Sequence, residues 1–253
     1  MTGYQGNKTL LPLIPAGASP LQGDRPMLCH ILSELPPGPK AAVVHHKKDD
    51  VMAATRDFDC AYCRQPILNG TGGALLAARQ FIEMTDFSYL IVTMGDVPLV
   101  RRTTYDTLTG RLGEHPFVVL GFRPESKKQY GVLEIQGDRV VKITEWAYWR
   151  EYSEEWRNRV HTCNSGIYAA RKEVMRQCMT ALEAHPHRVT KQINGRPKIV
   201  EEFFITDLVA YLSGEGLTVG YVTVENEDEV MGVDDLPALR KAQDIFKKRD
   251  RPT

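Results

Sequence analysis

Asp96 follows the apolar run Tyr89-Leu-Ile-Val-Thr93 and lies between Gly95 and Val97-Pro98-Leu99. A short apolar run of that kind reads as a buried strand, so the carboxylate emerges at its carboxyl end, where open α/β sheets bind their ligands. A hard oxygen donor beside a glycine that admits phosphate suits a magnesium–nucleotide site; an Asp that only caps the next turn would look the same locally. The second feature is Gln65-Pro-Ile-Leu-Asn69-Gly70-Thr71-Gly72-Gly73-Ala74, a glycine-rich turn running into a helix. Such a turn can offer backbone N–H groups and hydroxyls to an anion at a helix start. Its spacing is neither that of the P-loop nor that of the dinucleotide fingerprint, and an ordinary loop fits it as well.

The elements that must position these residues follow from hydrophobic pattern. Apolar runs at 41–45, 89–93 and 117–121 predict buried parallel strands. The residues between them predict helices over 72–84, where Ala74, Leu75, Ala78, Phe81 and Ile82 share one face, and over 101–112. That alternation is the α/β signature. At Gly131 the texture changes: 132–135 and 139–143 flank Gln136-Gly-Asp138 and predict a hairpin, so a β insertion interrupts the alternation. Further helices are expected over 172–184, 202–212 and 236–248, with a strand over 218–224.

Composition narrows the partners. The 253 residues are 42% hydrophobic and 25% charged, a globular balance, and 32 Lys plus Arg cancel 32 Asp plus Glu. No basic surface for nucleic acid or acidic membrane is implied. No stretch approaches the ~18 apolar residues of a membrane helix, and no secretory leader is visible, so a cytoplasmic protein is expected. Cys60 and Cys63 are the only close cysteine pair among five; without further ligands for the about four a zinc ion takes, their spacing reads as chance.

One family carries these motifs in the same order. Gln65 stands five residues before Gly70-Thr71-Gly72, then come Gly95-Asp96-Val97-Pro98-Leu99, Tyr130-Gly131, Glu145, Asn164-Ser165-Gly166-Ile167, Glu202-Phe-Phe-Ile-Thr206-Asp207 and Gly232-Val233-Asp234. The chain thereby resembles the sugar-phosphate nucleotidyltransferases, and most closely the uridylyltransferase half of the bifunctional GlmU enzymes. The resemblance implies a three-layer α/β/α Rossmann-like (GT-A-like) domain over 1–253, with a mixed, mostly parallel sheet. Within it, 1–122 would bind the nucleotide, 123–234 the sugar phosphate through the β-rich insertion, and 235–253 would form a terminal helix. It implies that Gln65, Gly70 and Thr71 read the base, that Asp96 and Asp234 hold Mg2+, and that Gly131, Glu145 and Asn164 hold the sugar. Thr206 would add a sugar-phosphate contact, and Lys8 would neutralise phosphate charge.

The implied reaction joins UTP and N-acetylglucosamine 1-phosphate into UDP-N-acetylglucosamine and pyrophosphate. Another sugar phosphate, a molybdenum cofactor, or a silent nucleotide-sugar-binding module are the alternatives. The chain departs from the family at several places. The family's apolar first strand and Leu-Ala-Ala-Gly-x-Gly-Thr-Arg-Met loop do not precede Lys8, so a shortened chain or a start read too late is expected. Asp234 replaces an asparagine, extra residues lie near 15–21, and a long 146–163 segment carries Trp146, Tyr148 and Trp149, for which packing is favoured over stacking on a ligand. No hexapeptide repeat is present, so no acetyltransferase domain is expected.

Overall fold

The computed structural model describes residues 4–193 and 195–249. The chain opens with a 3-10 turn (Lys8–Leu10), then β1 (Pro12–Ala16), β2 (Ser19–Pro26), α1 (Met27–Glu34), β3 (Lys40–Val44), α2 (Lys48–Ala54) and β4 (Cys60–Arg64). Next come α3 (Gly70–Ala77), α4 (Arg79–Met84), β5 (Tyr89–Val92), α5 (Arg102–Gly110), β6 (Phe117–Phe122), β7 (Val132–Gln136) and β8 (Arg139–Thr144). The rest is α6 (Trp146–Trp149), α7 (Glu154–Arg159), β9 (Cys163–Arg171), α8 (Lys172–Ala184), β10 (His187–Ile193), β11 (Arg196–Glu202), α9 (Asp207–Gly214), β12 (Val219–Val224) and α10 (Leu236–Arg249).

The central sheet has the order β12-β6-β9-β7-β8, with β5 also paired to β9. Every residue of β6 is buried, the mark of a strand covered on both faces. Phe117 and Val119 of β6, with Tyr168 and Ala170 of β9, pack under α3, α4, α8 and α9. Val118, Leu120 and Phe122, with Ile167 and Ala169, pack on the other side against Tyr105 and Leu108 of α5 and Trp149 of α6. The result is three layers, helix on sheet on helix. The sheet is mixed: β12 pairs parallel with β6, while β9 runs antiparallel to β5, β6 and β7. β5, β6, β7 and β12 therefore share one direction, with β9 reversed among them. Strands from the expected nucleotide part (β5, β6) and sugar part (β7, β9, β12) lie side by side in this one sheet.

Two features position the site. β9 has β6 along one edge, but its other edge is shared: Tyr168 to Arg171 face β5, and Cys163 faces β7. The sheet forks between them, at Asn164 to Ile167, where a bulge opposite Leu120 and Gly121 places Gly166 at φ 80°. Separately, β3 and β4 form their own two-stranded parallel sheet, so β3 and β5 each keep one edge without a strand partner among the described residues. Residues 7–10 link the carboxyl ends of those two strands. Asn7 Nδ2 donates to His46 O just beyond β3, Leu10 packs on Ala42 and Val44, and Thr9 lies against Gly95 just beyond β5.

The sequence pattern errs in informative places. The helix expected over 72–84 is broken at Ala78, whose φ −88° and ψ 1° lie outside the helical well. The helix expected from 202 begins only at Asp207, because Arg196–Glu202 is a strand paired with His187–Ile193. Those strands read as polar because they stand largely in solvent. The extra residues near 15–21 form the tip of the β1–β2 hairpin, turning at Gly17 with φ 62°.

That hairpin is pinned to α10. Gln243, 5% exposed, donates from Nε2 to Pro12 O and to Pro20 O, both at 2.8 Å. Replacing Gln243 with Leu strands two carbonyls in a closed interface, which costs about 1–3 kcal/mol. Urea denaturation of Q243L should show that loss at unchanged m value; a loss under about 0.5 kcal/mol would mean that water satisfies both carbonyls.

Candidate active site

The residues expected to hold a metal meet on a lysine. Lys8 Nζ donates to Asp96 Oδ2 and to Asp234 Oδ1, each at 2.7 Å. The two carboxylate oxygens are thus no farther apart than twice that distance. Each reaches this point for a local reason. Asn7 caps the first 3-10 turn, its Oδ1 accepting from Thr9 N, which fixes the backbone of Lys8. Val97, Pro98, Leu99 and Val100 are buried, so the strand-end loop is anchored behind Asp96. Val233, fully buried, donates its N–H to Asp96 O at 2.8 Å, which sets Asp234 beside Asp96.

Burial by itself would pull the Lys8 ammonium down, but its hydrogen bonds to Asp234 and Asp96 and their charges outweigh this and raise it. The ammonium is therefore firmly protonated, and it occupies the place where the sequence leads one to expect a cation.

Gly131, Glu145 and Asn164 gather around the fork. Asn164 N donates to Gly131 O at 2.8 Å, and a Cβ on Gly131 would stand 3.2 Å from Glu145 Oε2. The absent side chain leaves room for that carboxylate. The Asn164 side chain is committed within the fold: Nδ2 donates to Tyr168 Oη at 2.8 Å and Oδ1 accepts from Gly166 N at 3.1 Å. Burial drives the Tyr168 phenol upward, so it stays protonated. Ser165 fastens the bulge, donating to Leu120 O at 2.7 Å.

The glycine-rich turn forms a third group. Gln65 is 7% exposed, and its Nε2 donates to Asn69 Oδ1 at 2.9 Å and to Gly70 O at 3.3 Å. Gly70, at φ 90°, would place a Cβ 2.4 Å from Phe203 O. Gly72 N donates to Phe203 O at 2.8 Å, and the Thr71 hydroxyl accepts from Ile205 N at 3.3 Å. The Gly72 N–H is thereby spent within the fold, while the Thr71 hydroxyl, used here as an acceptor, keeps its O–H to donate. The close approach of 203–205, a segment far away in sequence, engages both. Thr206 belongs here too. It is 8% exposed and precedes α9 without a side-chain cap, adjoining the turn rather than Lys8.

Of the segment after Glu145, Trp149 is buried with Nε1 donating to Tyr130 O at 2.9 Å. Trp146 lies under the Arg150 guanidinium at 4.7 Å, and Tyr148 is exposed. Sequence reasoning overlooked Asn7, Asn69 and Ser165, the residues that hold the turns. The pattern Asn7-Lys-Thr9 is an Asx-turn signal that was open to reading.

A model of the MobA-like NTP transferase domain matches residues 3–193. The chain belongs to that family. It is a nucleotidyltransferase, and its relatives are of the sugar-phosphate type. The bifunctional protein GlmU of Brucella anthropi is 30% identical over 89% of this chain and 47% of its own length. GlmU of Sphingopyxis alaskensis is 33% identical over 88% and 47%. The chain thus spans about half the length of the curated relatives it matches. Among solved structures, UDP-glucose pyrophosphorylase complexed with UDP-glucose superposes with a TM-score of 0.62 at 13% identity over 96% of this chain and 90% of that one. A nucleoside-diphosphate-sugar pyrophosphorylase from Vibrio cholerae RC9 gives 0.60 at 14% identity over 89% and 87%. These likenesses show the GT-A-like pyrophosphorylase fold. Among the described residues, no helix is long and apolar enough to cross a membrane.

The raised Lys8 has a consequence for stability. A folded-state value above the unfolded one, near 10.4 for lysine, contributes stability at lower pH that is lost as pH rises through the folded value. In chelator, the stability difference between the parent and Lys8→Met should be full at pH 7 and shrink at pH 11. A difference that stays constant between the two would show that Lys8 contributes by packing alone.

Proposed function

We propose that the chain joins UTP to N-acetylglucosamine 1-phosphate, releasing pyrophosphate, at the Lys8–Asp96–Asp234 cluster. The observation that carries this reading is the pair of carboxylates held on one ammonium at the ends of two segments. Two hard oxygen donors this close fit Mg2+, which typically takes one or two carboxylates and completes its shell with water and substrate phosphate. Asp96 and Asp234 would hold the ion, and it would supply positive charge to the phosphate oxygens.

In the chemical step an oxygen of the sugar phosphate forms a bond to the α-phosphorus, and the bond from that phosphorus to the bridging oxygen of pyrophosphate breaks. The nucleophile is already an anion, so no general base is required. The chief obstacle is repulsion between two polyanions. Lys8, beside both aspartates, would turn its charge toward phosphate. Gln65, whose Nε2 is spent on the turn, retains Oε1 to accept from a donor of the base. Amide orientation follows from that hydrogen-bond network. Gly70 and Thr71 would shape the same pocket wall, and Thr206 would lie beside it. Glu145 and the backbone of Gly131 and Asn164 would receive the sugar hydroxyls at the fork.

Identity to relatives named GlmU favours N-acetylglucosamine 1-phosphate over other sugar phosphates and over a molybdenum cofactor. A pyrophosphate-release assay with UTP, N-acetylglucosamine 1-phosphate and Mg2+ should give turnover, falling by about 10²–10³-fold in Asp96→Asn. Faster turnover with another triphosphate or sugar 1-phosphate would displace the substrate assignment. No release with any pair would make the chain a silent binding module.

A further inference from the structure

Three residues beyond Asp96 the same loop enters a second basin. Leu99, Val100 and Arg101 line a cavity of about 410 Å³ whose walls are completed by Arg25, His30, Glu34, Phe246 and Arg249. Three guanidinium groups converge on it from β2, the 96–101 loop and the end of α10. Arg25 sits at φ 58°, a left-handed conformation uncommon outside glycine. Its guanidinium lies 5.7 Å from the centre of the Phe246 ring, and its Nη2 stands 3.2 Å from His30 Nδ1.

Glu34 is the one carboxylate in the lining, and Glu229 lies against the Arg101 backbone. Glu34 Oε2 accepts from Arg102 N at 2.9 Å, and Glu229 Oε1 accepts from Arg101 N and from the Thr104 hydroxyl. Arg249 Nη1 donates to Leu99 O at 2.7 Å, a carbonyl rather than a carboxylate. Among the described residues, none of the three arginines forms an ion pair with a carboxylate. Burial pulls the Arg249 guanidinium below its ordinary range and the charge of Arg101 adds to that, against the opposing charges of Glu229, Asp228 and Glu34.

In a chain with a formal charge of zero, three arginines thus share one basin with a single lining carboxylate, and Arg25 lies over the Phe246 ring. Their mutual repulsion is relieved by an anion, and the guanidinium fork matches phosphate oxygens in pairs. We propose that this basin binds a small phosphomonoester, its phosphate on Arg25, Arg101 and Arg249 and its apolar part on Phe246. The size suits a small ligand rather than a polymer. The site is separate from the Lys8 cluster and goes beyond the proposed reaction, yet it shares the loop that carries Asp96.

Phenyl phosphate is a suitable probe, titrated calorimetrically into the full chain in chelator and without nucleotide. Saturable one-site binding is expected, weakened about tenfold in Arg25→Gln and in Arg101→Gln, as for loss of one charge-assisted hydrogen bond. Both side chains are exposed and hold no backbone group, so the variants should fold. Phe246→Leu should weaken phenyl phosphate while leaving inorganic phosphate unaffected, and Lys8→Met should leave both unaffected. The proposal is overturned if binding is not saturable or if R25Q and R101Q bind as the parent does. A loss in Lys8→Met equal to theirs would also overturn it, because the anion would then lie at the Asp96 cluster.

Discussion

Two aspartates far apart in the sequence, Asp96 and Asp234, are held together by the ammonium of Lys8 at 2.7 Å on each side. Like charges at that separation repel, and only a cation between them makes the arrangement tolerable. Three segments therefore have to be delivered to one point. The 3-10 turn at Asn7 brings the lysine, the anchored loop after β5 brings Asp96, and the buried Val233, bonded to Asp96 O, brings Asp234. Asp234 is largely exposed while Asp96 is three-quarters covered, so the cluster faces outward on one side.

The surrounding architecture follows from the need to open a cleft beside this point without exposing backbone. The fork of β9 achieves this: β5 leaves the sheet after Val92, β7 joins only at Val132, and the bulge between them is tied down by Ser165 and Asn164. Glu145 and Gly131 adjoin the fork, and the Lys8 cluster lies beyond the end of β5. At the glycine-rich turn, Gly70 and Gly72 let the backbone of Phe203 approach so closely that any side chain on them would collide with it. These glycines serve packing.

Much of this was legible in the residues. Asp96 is legible from an apolar run followed by glycine and proline, because the carboxyl ends of strands in open α/β sheets face the ligand, although β5 pairs antiparallel with β9 and not in the parallel manner its pattern suggests. The hairpin at 132–144 and the helix at 172–184 were found because their patterns are strong and local. The β10–β11 hairpin was not, since alternating charged residues in solvent give no apolar signal. Nor could periodicity show that Ala78 breaks a helix. The bridge by Lys8 joins residues 88 and 226 positions apart, and no spacing rule reaches that far; ordered motifs named the three residues, and only the fold put them in contact. The arginine basin was equally hidden, because Arg25, Arg101 and Arg249 belong to no common motif.

The central claim is that Asp96 and Asp234 are one cation site, which Lys8 fills until a divalent ion replaces it. The direct measurement is Mn2+ binding to the full chain, followed by electron paramagnetic resonance without nucleotide. One ion per chain should bind, weakened by at least about tenfold in both Asp96→Asn and Asp234→Asn and tightened in Lys8→Met, where the competing charge is gone. Mn2+ affinity that is the same in all four proteins would contradict the account.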